Sequence, residues 1–401
     1  MSSSSARSDD IVVCAPVRTA IGRFGGSLVD VPAAALGAHV IAASLRRAGL
    51  DPAQVDSVVF GNVIQAGNGM NLARQAAIGG GLPVGVPALT VNRVCGSGAQ
   101  ALASAAAEIL AGQAEVVIAG GTENMDRAPY LLPAMRHGAR MGNAQAIDAM
   151  LRDGLNDAFS GEHSGWHTED LVAKFGLSRA DQDAFAARSQ QRFAAAQAAG
   201  HFVTEIEPLE IRTKKVRRFR AVAVDEGNRP ETTLESLAKL RPAFRDGGTI
   251  TAGNAPGVNA AAAAMVVCKR AWADAHGLTP MLVLRASAVV GVEPGLFGYG
   301  PVPAIRKVLT RTGWSVGEID RVEVNEAFAA VALVAQQQLD IDPARFNVDG
   351  GAIAHGHPIG ATGAVLIVRL AHALARTGGQ RGIVSLCIGG GQGIALALER
   401  P

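Results

Sequence analysis

Hydrophobic and polar positions along this chain follow two periods that trade places regularly. Short apolar runs at Ile11–Cys14, Ser57–Phe60 and Val116–Ala119, and later at Leu282–Ala286, Val322–Val324 and Ile383–Leu386, predict buried strands. Between them, apolar residues recur at helical spacing. Ala99, Leu102, Ala103, Ala106, Ile109 and Leu110 predict one such helix, and the run Ala88-Leu89-Thr90-Val91 just before it reads as a short buried strand. This alternation argues for α/β units with mostly parallel central strands, covered on both faces.

The two ends of the chain repeat each other. Leu45-Arg46-Arg47-Ala48-Gly49, followed by Val55-Asp56-Ser57-Val58, matches Leu309-Thr310-Arg311-Thr312-Gly313, followed by Ile319-Asp320-Arg321-Val322, at a shift of 264 residues. Slightly stretched, the shift carries Gly98 onto Gly363 and Gly120 onto Gly389. Two halves packed about a pseudo-twofold axis would bring the N-termini of two matching helices to one place. Residues 127–257 between them are richer in aromatic and charged side chains. There Ser178 to Ala199 reads as a helix capped by Ser178 with Asp181, with Phe185, Ser189 and Phe193 on one face.

Candidate chemistry lies at the heads of the matching helices. Asn92-Arg93-Val94-Cys95-Gly96-Ser97-Gly98-Ala99 sets one cysteine between a strand and a small-residue helix. A thiol there sees a helix N-terminus and unpaired N–H groups, which favour thiolate. Near the other end come Asn325-Glu326-Ala327-Phe328-Ala329, then Asn347 to Gly363 containing His355-Gly356-His357-Pro358, then Cys387-Ile388-Gly389-Gly390-Gly391-Gln392-Gly393. Each block alone has a plainer reading. A lone cysteine is often a small core residue, Asn-Glu before an apolar run a helix cap, and a histidine beside proline a turn residue. His355 and His357 could suggest a metal pair, but no further cluster completes a site. Cys14 and Cys268 sit in apolar runs and read as inert core.

Together and in this order, the four blocks resemble the thiolases, the acyl-CoA C-acyltransferases, from about Ile11 to the C-terminus. The resemblance implies a thiolase fold: two pseudo-repeated α/β halves in a five-layer α-β-α-β-α core with an inserted loop domain. The halves would be 1–126, completed by 258–276, and 277–401, with the loop domain at 127–257 covering the site and binding CoA. It implies Cys95 as nucleophile, His357 as its base and Cys387 as the base for the second step. The enolate oxygen would face His357 and a water on Asn325, and the acyl-enzyme oxygen the N–H groups of Cys95 and Gly389. His163, Arg229, Ser236, Leu240, Phe244, Ala252 and Phe328 match positions that line CoA in the family. The implied activity is reversible Claisen condensation of two acyl-CoA, or thiolysis of 3-ketoacyl-CoA, with acetyl-CoA as one substrate. No cofactor is implied beyond the CoA thioesters themselves, and a homo-oligomer, dimer or tetramer, is.

Three positions depart from the family pattern. Ser164 and Phe297 stand where methionine is common beside the acyl chain, and Pro256 replaces a serine that contacts CoA. These leave room for a thiolase acting on longer or branched chains, or for an idle CoA-binding homologue. A decarboxylating condensing enzyme is disfavoured by Cys387.

Composition bounds the rest. With 401 residues, 48% hydrophobic and 18% charged, the chain can bury large cores. A net charge of +2 gives no general mandate for nucleic acid or membrane, and no apolar run is long enough to span a bilayer. The dense basic run Lys214 to Arg220 reads as a solvated loop, and the resemblance turns it toward the CoA entrance. Four cysteines with no Cys-x-x-Cys pair, no signal-peptide pattern and no Ser-Lys-Leu ending lead us to expect a cytoplasmic protein.

Overall fold

The computed structural model describes residues 7–212 and 219–401. Lys214 to Arg218 of the basic run therefore lie outside the described residues. Nine main strands organise the core: β1 Ile11–Arg18, β2 Ser57–Gly61, β3 Ala88–Val91, β4 Val116–Asn124, β5 Asn259–Lys269, β6 Pro280–Gly291, β7 Arg321–Val324, β8 Arg381–Ile388 and β9 Gln392–Glu399. They lie in the order β7-β8-β9-β6-β1-β5-β4-β2-β3 within one ten-stranded sheet, whose remaining strand is the pair Gly22–Arg23 beside β5.

Besides two short helices at Arg270–Ala275 and Ala352–His355, the helices of the described residues are α1 Ala33–Ala48, α2 Leu72–Gly79, α3 Ser97–Leu110, α4 Ser164–Phe175, α5 Arg179–Ala198, α6 Leu234–Ala238, α7 Pro301–Thr312, α8 Ala329–Gln338 and α9 Thr362–Thr377. Alternate residues of each central strand feed different cores. Along β5, Ala260, Ala262, Ala264 and Val266 pack under α1 and α2, whereas Ala261, Ala263, Met265 and Val267 face α3 and α9. Along β9, Ile394, Leu396 and Leu398 join that same middle core, while Ala395 and Ala397 turn toward α7 and α8. Helices thus lie outside, between and outside again, which gives the five layers.

The pseudo-repeat has a physical signature at its centre. A Cβ on Gly98 would stand 2.5 Å from the Ala364 nitrogen, and one on Gly363 would stand 2.3 Å from the Ala99 nitrogen. Helices α3 and α9 therefore cross backbone to backbone at the two glycines that the sequence repeat pairs.

The strands differ from expectation in direction. Only β2–β3, β2–β4 and β7–β8 pair in parallel, while β1, β5, β6 and β9 pair antiparallel with their neighbours. The sheet is mixed, because β5 and β9 return beside β4 and β8 in the opposite sense. Strand β3 is an edge strand rather than a buried one, with Leu89 half exposed. Helix α5 matches its prediction: Ser178 and Asp181 form a capping box, and Phe185, Ser189 and Phe193 are buried. Cys14 and Cys268 lie against each other in the core, and that contact, with burial, keeps the Cys14 thiol protonated. Among the described residues no helix is long and apolar enough to cross a membrane.

Candidate active site

The Cys95 turn is built by short-range bonds. The Val94 N–H donates to Asn92 Oδ1 at 2.9 Å. Ser97 Oγ accepts the Arg93 N–H at 2.9 Å and donates to the Val94 carbonyl at 2.7 Å. These bonds hold Val94 at φ 45°, a left-handed conformation that a β-branched residue rarely takes. Cys95 is thereby set two residues ahead of α3, half-buried on the wall of a cleft of about 720 Å³. Gly389, in the turn between β8 and β9, lines the same cleft. Gly390 and Gly391, at φ 80° and 85°, give that turn the backbone only glycine adopts readily.

The thiolate expected at Cys95 is not the resting state. The N–H groups of Gly389 and of Cys95 itself point at the sulfur and favour the anion, but burial outweighs them and pushes the thiol up to about 11. Cys387 is fully buried at the end of β8. Burial first, then the neighbouring Cys95, raise its thiol well above the ordinary value.

His357 reaches the cleft from the opposite half. Its N–H donates to Asn259 Oδ1 at 2.8 Å, its Nδ1 lies 2.7 Å from Thr362 Oγ1, and its Nε2 lies 3.2 Å from Asn325 Nδ2. Burial holds the imidazole down to about 4, so the ring is neutral near pH 7. Asn325 caps no helix; it is buried, and its Oδ1 has no protein partner. His355 packs against Phe193 with its Nδ1 2.8 Å from the Gly356 carbonyl, and it does not line the cleft.

Two buried carboxyl groups that the sequence did not flag tie this machinery together. Glu123 Oε2 accepts the N–H groups of Val63 and Gly360, each at 3.0 Å, so it joins cleft walls from both halves. Burial lifts it to about 7. Glu326 accepts from Ser189 Oγ at 2.7 Å, Asn347 Nδ2 at 2.9 Å and the Ile353 N–H at 3.1 Å, fixing the segment that leads into His357. Glu326 stood inside a block already singled out. Glu123 gave only the weaker signal of a charge at the end of an apolar strand.

The remaining candidates divide. His163, Ser164, Phe244, Phe297 and Phe328 line the cleft. His163 caps α4, its Nδ1 accepting the Gly165 N–H at 2.9 Å, and its ring stacks on Phe244 with centroids 4.5 Å apart. Pro256 lines it too, as does a wall from Arg152 to Ala158 that sequence reasoning missed. Asn325 and Cys387 stand behind the cleft surface. Arg229, Ser236, Leu240 and Ala252 do not line it. All four are exposed: Arg229 Nη2 lies 3.5 Å from the Ala252 carbonyl, Leu240 covers Gly253, and Ser236 bonds to Thr233 within the cap of α6.

Residues 11–271 match the thiolase N-terminal domain and residues 278–400 the thiolase C-terminal domain. This chain belongs to the thiolase family. As a thiolase it is an acyltransferase. It is 50% identical to the acetyl-CoA acetyltransferase of Pseudomonas aeruginosa over 391 residues, covering 98% of this chain and 99% of that one. It is 46% identical to the probable acetyl-CoA acetyltransferase of Escherichia coli K12, with 98% and 99% covered. Among solved structures, the Bacillus anthracis acetyl-CoA acetyltransferase superposes with a TM-score of 0.95 at 40% identity, covering 99% of this chain and 100% of that one. Human mitochondrial 3-ketoacyl-CoA thiolase does so at 0.94 and 41%, covering 98% and 99%.

Proposed function

We propose that this thiolase condenses two acyl-CoA molecules, or cleaves a 3-ketoacyl-CoA, through an acyl group carried on Cys95, with acetyl-CoA as one substrate. The observation that carries the reading is the meeting of Cys95, His357 and the Gly389 turn on one cleft, with Cys387 in electrostatic reach of Cys95. Both thiols are protonated at rest, and this orders the steps. Cys95 gives its proton to His357 Nε2 while sulfur attacks the thioester carbonyl. The N–H groups of Cys95 and Gly389 receive the oxyanion, the carbon–sulfur bond to CoA breaks, and Cys387 protonates the departing CoA thiolate.

Cys387 is then a thiolate beside the acyl-enzyme. It takes the α-proton of the second acyl-CoA, and the enolate oxygen is held by His357, now carrying a proton on Nε2, and by a water on Asn325 Oδ1. The enolate carbon attacks the acyl carbonyl, the bond to Cys95 breaks, and His357 returns the proton to that sulfur. CoA lies along His163, Phe244 and Phe328, with Arg229, Ser236, Leu240 and Ala252 on the outer rim toward its nucleotide. Ser164, smaller than methionine, leaves space for acyl chains longer or more branched than acetoacetyl.

The chain works as a homo-oligomer in this reading, supported by the uncovered edge of β3 with Leu89 and by exposed Tyr130, Met135 and Met141; sedimentation that gave a monomer would oppose it. Four free thiols suit the cytoplasm.

The variant Cys387→Ala tests the division of labour. With acetyl-CoA it should still acylate Cys95, only more slowly because the departing CoA thiolate loses its proton donor, but it should lose condensation and lose exchange of acetyl protons with deuterated water. Retained exchange would sink the assignment.

A further inference from the structure

Thr362 opens α9 and is fully buried. Its Oγ1 stands 2.8 Å from the Pro358 carbonyl and 2.7 Å from His357 Nδ1. A carbonyl can only accept and a hydroxyl has one proton, so donation to Pro358 leaves a lone pair facing Nδ1. The ring proton then belongs on Nδ1. The far edge of the ring agrees, since Nε2 meets the amide nitrogen of Asn325 at 3.2 Å. With the opposite tautomer an Nε2–H would confront that N–H donor head on. Because the ring is buried, water offers Nδ1–H no easy substitute for Thr362.

We infer that Thr362 is a positioning residue: its hydroxyl, by accepting the Nδ1–H of His357, leaves Nε2 as the nitrogen that takes the Cys95 proton. The same contact supports the ring once both nitrogens carry protons. Sequence alone hides this, because Ala361-Thr362-Gly363 reads as a small-residue turn before a helix. The inference rests on His357 being the base for Cys95, and that reading fails separately if His357→Gln acylates at the wild-type rate.

A neutron diffraction map of the deuterated wild-type protein tests the tautomer without reference to activity. It should place deuterium on His357 Nδ1 and none on Nε2, with the Thr362 hydroxyl deuterium toward Pro358. Deuterium on Nε2 with Nδ1 bare would overturn the inference.

Acylation of Cys95 by acetyl-CoA tests the consequence. Thr362→Val keeps the shape of the side chain but strands a buried donor, so single-turnover acylation should slow roughly tenfold or more with KM little changed. Thr362→Ser should return to within about threefold of wild type, since it restores the same acceptor. Equal losses in the two variants, or a valine variant within about twofold of wild type, would contradict the role, because of the two only serine keeps the hydroxyl. Melting curves of both variants show whether valine has unfolded the site. In that case the serine variant and the neutron map still decide.

Discussion

The Cys95 turn and the His357 turn hold equivalent places in the two halves, each at the head of a middle-layer helix, yet they are made by opposite means. The cysteine turn is local: Asn92 and Ser97 hold it, Val94 is strained, and the sulfur meets the cleft. The histidine turn is held from afar, by Asn259 and Glu123 of the other half, and through Glu326 by Ser189 of the loop segment. An acyl acceptor must be reachable by a bulky thioester, so its turn cannot be covered. A base that must present one nitrogen is served by burial and many partners. One helix N-terminus, used twice, yields two chemistries because its surroundings differ.

Removing the local member should cost most. Cys95→Ser places a far less acidic hydroxyl beside His357, and turnover should fall roughly 10⁴-fold or more while CoA still binds. Turnover near wild type, with acyl label elsewhere, would break the comparison at its root.

The shared frame can be attacked directly. Gly363→Ala drives a methyl against the Ala99 backbone where α3 and α9 cross. Denaturant unfolding should show a loss of about 1–3 kcal/mol, with activity falling because both turns move. A silent alanine would mean that the helices do not depend on this approach.

The pH dependence separates the turns more gently. A base depressed to about 4 stays neutral on mild acidification, and a thiol raised to about 11 stays protonated on mild alkalinisation. Single-turnover acylation should therefore stay nearly flat from neutrality down past the ordinary histidine range and fail only as pH nears His357's value. A fall centred near the usual imidazole value of about 6.5 would show a ring more open to water than this one.

The smallest effect concerns substrate choice. Ser164→Met refills the wall of the cleft, and each methylene lost from an apolar pocket costs about 0.8 kcal/mol. The ratio of kcat/KM for longer against four-carbon 3-ketoacyl-CoA should drop roughly tenfold. An unchanged ratio would place the selective wall elsewhere, with the stretch from Arg152 to Ala158 the next to test.

Much of this was legible in the chain, for physical reasons. The repeat could be read because the crossing of α3 and α9 demands glycine at matched places, and Gly98 and Gly363 show it. The capped helix α5 could be read because Ser178 and Asp181 are three residues apart. Strand β5 was hard to see: alanine is depleted in strands, and helices pressing on both of its faces select alanine there. Glu123 and Thr362 take their roles from what packs around them, which no local pattern carries. The Cys95 thiol misled for the same reason. Its helix N-terminus is local and visible, but the burial that outweighs it is tertiary.

The central claim is that Cys95 alone carries the acyl group, with His357 as its base. Mass spectrometry of peptides from the wild-type protein, quenched in acid after incubation with acetyl-CoA, tests it most directly. The account predicts an acetyl adduct on the peptide containing Cys95, none on the peptide containing Cys387, and loss of the adduct in Cys95→Ser. An adduct on Cys387, or none on Cys95 while the protein turns over, would contradict it.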